Sequence, residues 1–498
     1  MSHALSRSDS STETRRSVAD TFSSSILLIG GLMILQRAIG FVRSFYVCDV
    51  LPAEEVGRWD LAFNFFVLAA PLTVLGIPGS FGRYLARYEQ SGQERRFFRS
   101  SLAACVGLTM LFCTLFWVFD EQLAEYFLGA SSDSRMAKLL AVGLPAVVFF
   151  NFATSWFTGK RLNRYVFRIQ FAQTLFFALL CIVMFAYRGA SAESVVLAYL
   201  GSCCIGLALA SGYGKRDSHF EACEDSESLP IWSKVLPFAI WAWAGDALMN
   251  LFALCDRLLL VNFYPDASVD SQFLVGQYHT ACIFPVLLMT VGAMAASTGL
   301  PYLSNDWEEG RRDSVNERVN LMLKLVGVIG LAVSIGVLLI APILFGQLWK
   351  DKFALGESLL PMTLTFCSFA ALGYVAQAYF WCIEKAWLGS VFLLFGLIAN
   401  VVLGLLLIGR FGIEGVVAST LVAHISVLTL TLACAVWQGF RIDWGVVLIC
   451  CLLPIVLLGK WFALLALVAL TLIALTTEAL IDAKTKASFV DRIRHLIP

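Results

Sequence analysis

With 498 residues, 59% of them hydrophobic and 14% charged, the chain carries about half the charge of an ordinary soluble protein, so its class is all-α and polytopic in a membrane. The formal net charge of +0 leaves no basic footprint, and nucleic acid is excluded as a partner. Fourteen cysteines, mostly inside apolar runs and without CxxC clusters, read as small core residues rather than disulfides or metal ligands.

The Ser-rich stretch "MSHALSRSDSSTETRRSVAD" lacks the pattern of a cleaved signal, so residues 1–21 are expected to form a disordered cytoplasmic tail. Crossing the hydrocarbon core takes about 20 apolar residues. Such runs lie near 22–46, 58–79, 100–119, 137–158, 168–187 and 194–213. They resume near 235–263, 276–300, 318–341, 357–383, 387–408, 413–437, 444–459 and 461–481, which makes 14 transmembrane helices. The thirteenth is short and contains Pro454, so twelve spans plus a re-entrant or interfacial pair is the other count. A cytoplasmic linker, 214–234, separates an N-lobe (22–213) from a C-lobe (235–440), followed by the last two spans (441–482). In the tail 483–498, Phe489, Ile493, Leu496 and Ile497 recur at helical spacing among Lys and Arg. That pattern fits an amphipathic helix on the inner leaflet, with a partner-binding motif as the alternative.

Basic residues set the orientation. About 25 of the 36 Lys and Arg fall in the tails, in one set of loops or at the span ends beside them, about 8 fall on the opposite side, and Arg37, Arg43 and Arg257 are left within spans. This bias places both termini in the cytoplasm. The outer loops are each shorter than roughly twenty residues by the same span map, which leaves no external domain.

The two halves echo each other. "LGIPGSFGRYLARYEQSGQERR" closes the second span and "STGLPYLSNDWEEGRRDSVNER" closes the eighth, each running from small residues through Pro (78 and 301) to a Tyr and a basic loop. Gly57, Trp59 and Asp60 are matched by Gly276, Tyr278 and His279 at the same relative positions. Six spans per half preserve orientation, so the repeats are parallel and a site is expected between two six-helix lobes related by a pseudo-two-fold.

Charges inside spans are the candidate functional groups, because at such depth they face a bundle interior or a watery cavity. Asp256 and Arg257 are adjacent, hence about 100° apart on a helix, and each needs its own partner. Asp246, Asn250 and Arg257 fall within roughly 40° of one another, while Gln36 and Arg43 share a face of the first span. Asp60, Asn64, Pro71 and Pro78 share another in the second. In this reading Arg257 turns inward and Asp256 points sideways. The plainer alternatives stay open: Arg43 and Arg257 snorkelling to headgroups, Asp256 latched to a base on another helix, Asp60 near the outer surface, and His279 a satisfied interfacial histidine.

Several stretches carry a family resemblance: "RAIGFVRSFYVCDVLPAEEVGRWDLAFNF", "LGIPGSFGRYLARY", "DRLLLVNFY", "VGQYHTA", "TGLPYLS" and "LIGRFGIEGVVASTLVAH". Across roughly 22–440 the chain resembles the polysaccharide-transport branch (O-antigen-type flippases) of the multidrug/oligosaccharidyl-lipid/polysaccharide (MOP) exporter superfamily. Pro52 and Val56 depart from the Gly and aromatic common before Gly57 in relatives. The resemblance implies a MATE-like fold, alternating access, and no enzymatic activity. The implied cargo is a polyprenyl-diphosphate-linked glycan, moved across the cytoplasmic (inner) membrane for cell-surface polysaccharide biosynthesis beside glycan synthesis and polymerisation proteins. A lipid II flippase and a cation-coupled multidrug exporter are the alternatives within the superfamily. Arg37, Arg43, Asn250 and Arg257 are the substrate-binding candidates, since arginine offers phosphate a permanent charge in a forked geometry. Asp246, Asp60 and Asp256 are the candidates for a coupling ion, H+ or Na+, with no other cofactor expected. The short outer loops lack a His/Asp/Glu cluster, which disfavours a glycan-processing enzyme, and no G-x-x-x-x-G-K-[ST] motif is present for an ATPase.

Overall fold

The computed structural model describes residues 35–129, 133–217, 231–266 and 268–476. The N-terminal tail, the start of the first span, the centre of the linker and the amphipathic C-terminal tail lie outside these residues. Among the described residues every regular element is helical. A chain this apolar has no water in the bilayer core to satisfy its backbone, and helices close those hydrogen bonds locally.

In chain order the helices are α1 (35–50), α2 (Ala53–Thr73), α3 (Phe81–Gln90), α4 (Glu94–Val118), α5 (Ser134–Gly159), α6 (Asn163–Arg188) and α7 (Ala192–Asp217). There follow α8 (Trp232–Phe263), α9 (Ser271–Cys282), α10 (Pro285–Glu308), α11 (Arg312–Pro342), α12 (Ala354–Cys382), α13 (Trp387–Trp437), α14 (Trp444–Leu452) and α15 (Lys460–Thr476). By length and composition, 8 of the described helices could cross a membrane, or 9 if the bent pair α2 and α3 is one span. The protein is therefore a multi-pass membrane protein.

Two breaks depart from the expected spans, and a third falls where the spans place it, between 408 and 413. The predicted second span, 58–79, begins earlier and ends at Thr73, where the chain turns through 64° before α3. Pro71, left-handed Leu75 (φ 47) and Gly76 (φ 67), and Pro78 together interrupt the ladder there. The predicted eighth span, 276–300, is split into α9 and α10 because Pro285 has no amide proton to continue the helix. The eleventh and twelfth spans share the element α13, which reverses at Gly412 (φ 57, ψ −133), a conformation open to glycine and strained for other residues. On either side of that break the two halves run antiparallel and close. A Cβ on Gly396 would lie 2.3 Å from Val427, and one on Gly404 would lie 2.4 Å from Leu259 and 3.3 Å from Ser419. Small residues let membrane helices approach this closely, and dispersion between well-packed side chains replaces the hydrophobic drive that lipid does not supply.

The described residues divide into two compact units. Unit 1 takes 35–51, 65–123, 133–217 and 231–244, and unit 2 takes 52–64, 124–129 and 245–476. The boundary thus falls inside α2 and α8 rather than at the linker, and the first turns of α2 belong with the second unit. In unit 1, α3 is amphipathic: it buries Phe81, Leu85 and Tyr88 against an aromatic cluster, with Tyr88 stacked on Phe97 at 4.5 Å and Phe81 edge-on to Phe152 and Trp156. In unit 2, α12 is the central helix, packed against α9, α10, α11 and α13. The C-terminal pair is tied to α11 by Lys324, whose Nζ lies 2.6 Å from Asp443 Oδ2, and by Asn320, which donates to Arg441 O and accepts from Asp443 N. Of the thirteen described cysteines, eight are buried and only Cys204 and Cys451 are exposed.

Candidate functional site

The adjacent charges of α8 find their partners on different sides of the helix. Phe252, Asp256 and Leu259 share a face within about 60°. Phe252 lies at the notch of Gly396 and Leu259 at that of Gly404, so Asp256 between them meets the α13 hairpin. There Asp256 Oδ1 accepts from Asn400 Nδ2 at 3.0 Å and Thr420 Oγ1 at 2.6 Å, and Oδ2 accepts from Tyr278 Oη at 2.5 Å. Ser419 Oγ donates to Asn400 Oδ1 at 2.7 Å and to Val416 O at 2.7 Å. The carboxyl is 2% exposed. The expected basic latch partner is absent among the described residues: three neutral donors hold Asp256 instead. A carboxylate so placed needs neutralising charge, and its own oxygens can accept either a proton or a small monovalent cation.

Arg257, about 100° further round, faces α2. Its Nε donates to Asp60 Oδ2 at 2.5 Å and its Nη2 to Asp60 Oδ1 at 3.4 Å, a side-on fork. Nη1 donates to Ala253 O at 2.8 Å, and the guanidinium sits 5.1 Å from the ring centre of Tyr278. Asp60 is also held by His279 Nδ1 at 2.7 Å and Asn64 Nδ2 at 3.2 Å. Tyr278 therefore joins the two clusters, with its hydroxyl on Asp256 and its ring beside Arg257.

Backbone contact makes this meeting of α2 and α9 possible. A Cβ on Gly57 would lie 1.8 Å from Gln272 O, and one on Gly276 would lie 2.0 Å from Ala53 O. Only glycine fits at either position. The two residues paired by the sequence echo thus meet each other, as do Asp60 and His279 one turn further along. Gln272 Nε2 donating to Leu128 O, and Asn262 Nδ2 donating to Tyr126 O, fasten the same end of the unit.

The predicted site residues are distributed as follows. Arg257 is paired with Asp60, and its side chain is 12% exposed. Asp60 is not at the surface but 2% exposed. His279 is engaged with Asp60. Arg43, in unit 1, is half-buried with its guanidinium 3.9 Å from the ring centre of Phe177, and no carboxylate pairs with it among the described residues. Arg37 is exposed on α1 one helical face away from Gln36, which donates to Thr174 Oγ1 at 3.3 Å. Asn250 is half-buried, and Asp246 on the same stripe is exposed. Asn400, Ser419 and Thr420 were not singled out from sequence. Asn400 is the lone amide in a long apolar run, the signal by which it could have been found.

Comparisons with known proteins agree with this architecture. Residues 23–307 match the family described as "Polysaccharide biosynthesis protein". A stretch of 147 residues is 26% identical to stage V sporulation protein B of Bacillus subtilis (strain 168), covering 28% of this chain and 28% of that protein, so the alignment spans less than a third of the relative's length. Among solved structures, the lipid II flippase MurJ in an inward closed conformation aligns with a TM-score of 0.66 at 14% identity, over 90% of this chain and 97% of that one. An inward-facing multidrug resistance MATE family transporter of the MOP superfamily aligns with a TM-score of 0.68 at 15% identity, over 81% and 96%. A MOP superfamily transporter from Pyrococcus furiosus, described as having a binding pocket of reverse polarity, aligns at 0.58 and 14% identity over 83% and 92%. At these identities the likeness establishes the fold, which is that of the MOP transporters.

Proposed function

We propose, for a chain that belongs to the polysaccharide biosynthesis protein family, that it is a flippase for a polyprenyl-diphosphate-linked oligosaccharide. It would act in the cytoplasmic membrane, with both termini inside, by alternating access between two lobes. The observation that carries this reading is Arg43, a half-buried guanidinium inside a membrane helix with an aromatic ring beside it and no carboxylate partner among the described residues. A permanent cation in that setting is an anion site in waiting, and the forked geometry of arginine suits phosphate. A cationic drug would call for the opposite polarity.

Coupling is assigned to Asp256. Its carboxyl is held by the Asn400 amide and the Thr420 and Tyr278 hydroxyls and has no cation of its own within hydrogen-bonding reach, so a proton or Na+ is the neutralising charge that fits. Asp60 is committed to Arg257 and His279, which leaves exposed Asp246 as the rival. The test is flipping by the purified protein in proteoliposomes. A fluorescent undecaprenyl-diphosphate sugar should be translocated and the drug cation ethidium should not. Translocation of ethidium alone would replace this reading with the exporter. Translocation of lipid II but not of the other polyprenyl sugars would move the cargo to the cell-wall precursor.

A further inference from the structure

We infer that Asp60 is an internal stand-in for the cargo's phosphate: it occupies Arg257 while no cargo is bound and passes to His279 when the phosphate arrives. The inference rests on the proposed anionic cargo. Three features of unit 2 lead to it. First, Asp60 takes Arg257 through Nε and Nη2, the edge of the guanidinium that a phosphate oxygen pair would take. Arg257 cannot serve both anions along that edge, so the two compete. Second, Asp60 has somewhere to go. A carboxylate stripped of its only cation inside a membrane protein is strongly unfavourable, but Asp60 Oδ1 already touches His279 Nδ1 at 2.7 Å and Asn64 Nδ2 at 3.2 Å. Third, the glycine contact keeps that second partner in register. Asp60 and His279 each lie three residues beyond Gly57 and Gly276, whose backbones are in direct contact, so α2 and α9 stay together when Arg257 on α8 swings away. Arg257 keeps its hold on Ala253 O of its own helix, one turn back. Cargo binding thereby releases α8 from α2 without opening α2 from α9.

Asp60 is in this account a positioning residue, and its variants separate it from a structural role by the sign of their effects. Binding of undecaprenyl diphosphate to the full chain in nanodiscs is measured beside the flipping rate, with Arg257→Ala as the reference. Asp60→Asn removes the competitor and should bind the probe about tenfold more tightly while flipping more slowly, a gain of about 1.4 kcal/mol in binding. His279→Gln removes the alternative partner, holds Asp60 on Arg257, and should weaken binding by a similar factor. A purely structural clasp would shift both variants in the same direction, and that result overturns the inference. Unchanged affinity in Asp60→Asn would do the same. If Asp60→Asn does not fold, Asp60→Ser replaces it as the chain without the competing carboxylate, and unchanged or weaker binding by it overturns the inference. Should Arg257→Ala bind the probe as well as the unmodified chain, the anionic-cargo reading itself fails, an outcome distinct from the failure of the exchange.

Discussion

Gly57→Ala is the most direct test of the contact between α2 and α9. The added methyl would sit 1.8 Å from Gln272 O, whereas real Cβ atoms essentially never approach below 3.0 Å. Both neighbours are helical backbone, so the helices must separate by about 1.2 Å at that level. Carried one turn along, the same separation takes the Asp60–His279 contact from 2.7 Å to about 3.9 Å, beyond hydrogen bonding. Overpacking a close contact costs about 1–3 kcal/mol, and a lost hydrogen bond to a charged group about 1.5–3 kcal/mol, which together predict a loss of about 2.5–6 kcal/mol. Unfolding in mixed micelles titrated with a denaturing detergent measures this. Gly79→Ala is the control, because a Cβ there meets nothing within 4 Å and should leave stability within about 0.5 kcal/mol. Equal stability of Gly57→Ala and Gly79→Ala would refute the reasoning, for it would mean that α2 and α9 do not touch through their backbones.

Other expected outcomes follow from the same geometry. Arg37→Ala and Arg257→Ala are expected to abolish flipping in proteoliposomes while protein abundance is retained, and Arg→Lys at either position should rescue only in part. Complete rescue by lysine would mean that a simple charge, not the fork, is what matters. Asp256→Asn should eliminate the dependence of flipping on pH or sodium, with Asp246→Asn retaining it; the reverse pattern would move the coupling role to Asp246. Lys324→Met should leave Asp443 without its cation and loosen α14 from α11, a loss of about 1–3 kcal/mol read as earlier proteolysis in the 438–444 loop.

Much of the helix map was legible because apolar runs of the right length have only one way to satisfy their backbone in lipid. The breaks were less so. Pro454 announced a short thirteenth segment, which ends in a 3-10 turn over Leu453–Leu458, yet Pro285 looked no different from the prolines that α5 and α12 tolerate inside their helices. Periodicity also showed that Asp256 and Arg257 needed separate partners. It could not name them, because Asp60 lies 197 residues from Arg257 and Thr420 lies 164 from Asp256, and no local pattern reports such distances. The echo between Gly57 and Gly276 was visible as spacing alone. That each glycine faces the other's backbone depends on how two helices cross, which spacing within either helix does not encode.

The hairpin of α13 has a consequence for how the chain can be taken apart. One oxygen, Asp256 Oδ1, holds Asn400 from the strand of helix before Gly412 and Thr420 from the one after it. Drawn out of the bilayer from the C-terminal end, this hairpin would resist at the Asp256 carboxyl and at the Ser419–Asn400 bond beside it, and Asp256→Ala would lower the force of that rupture.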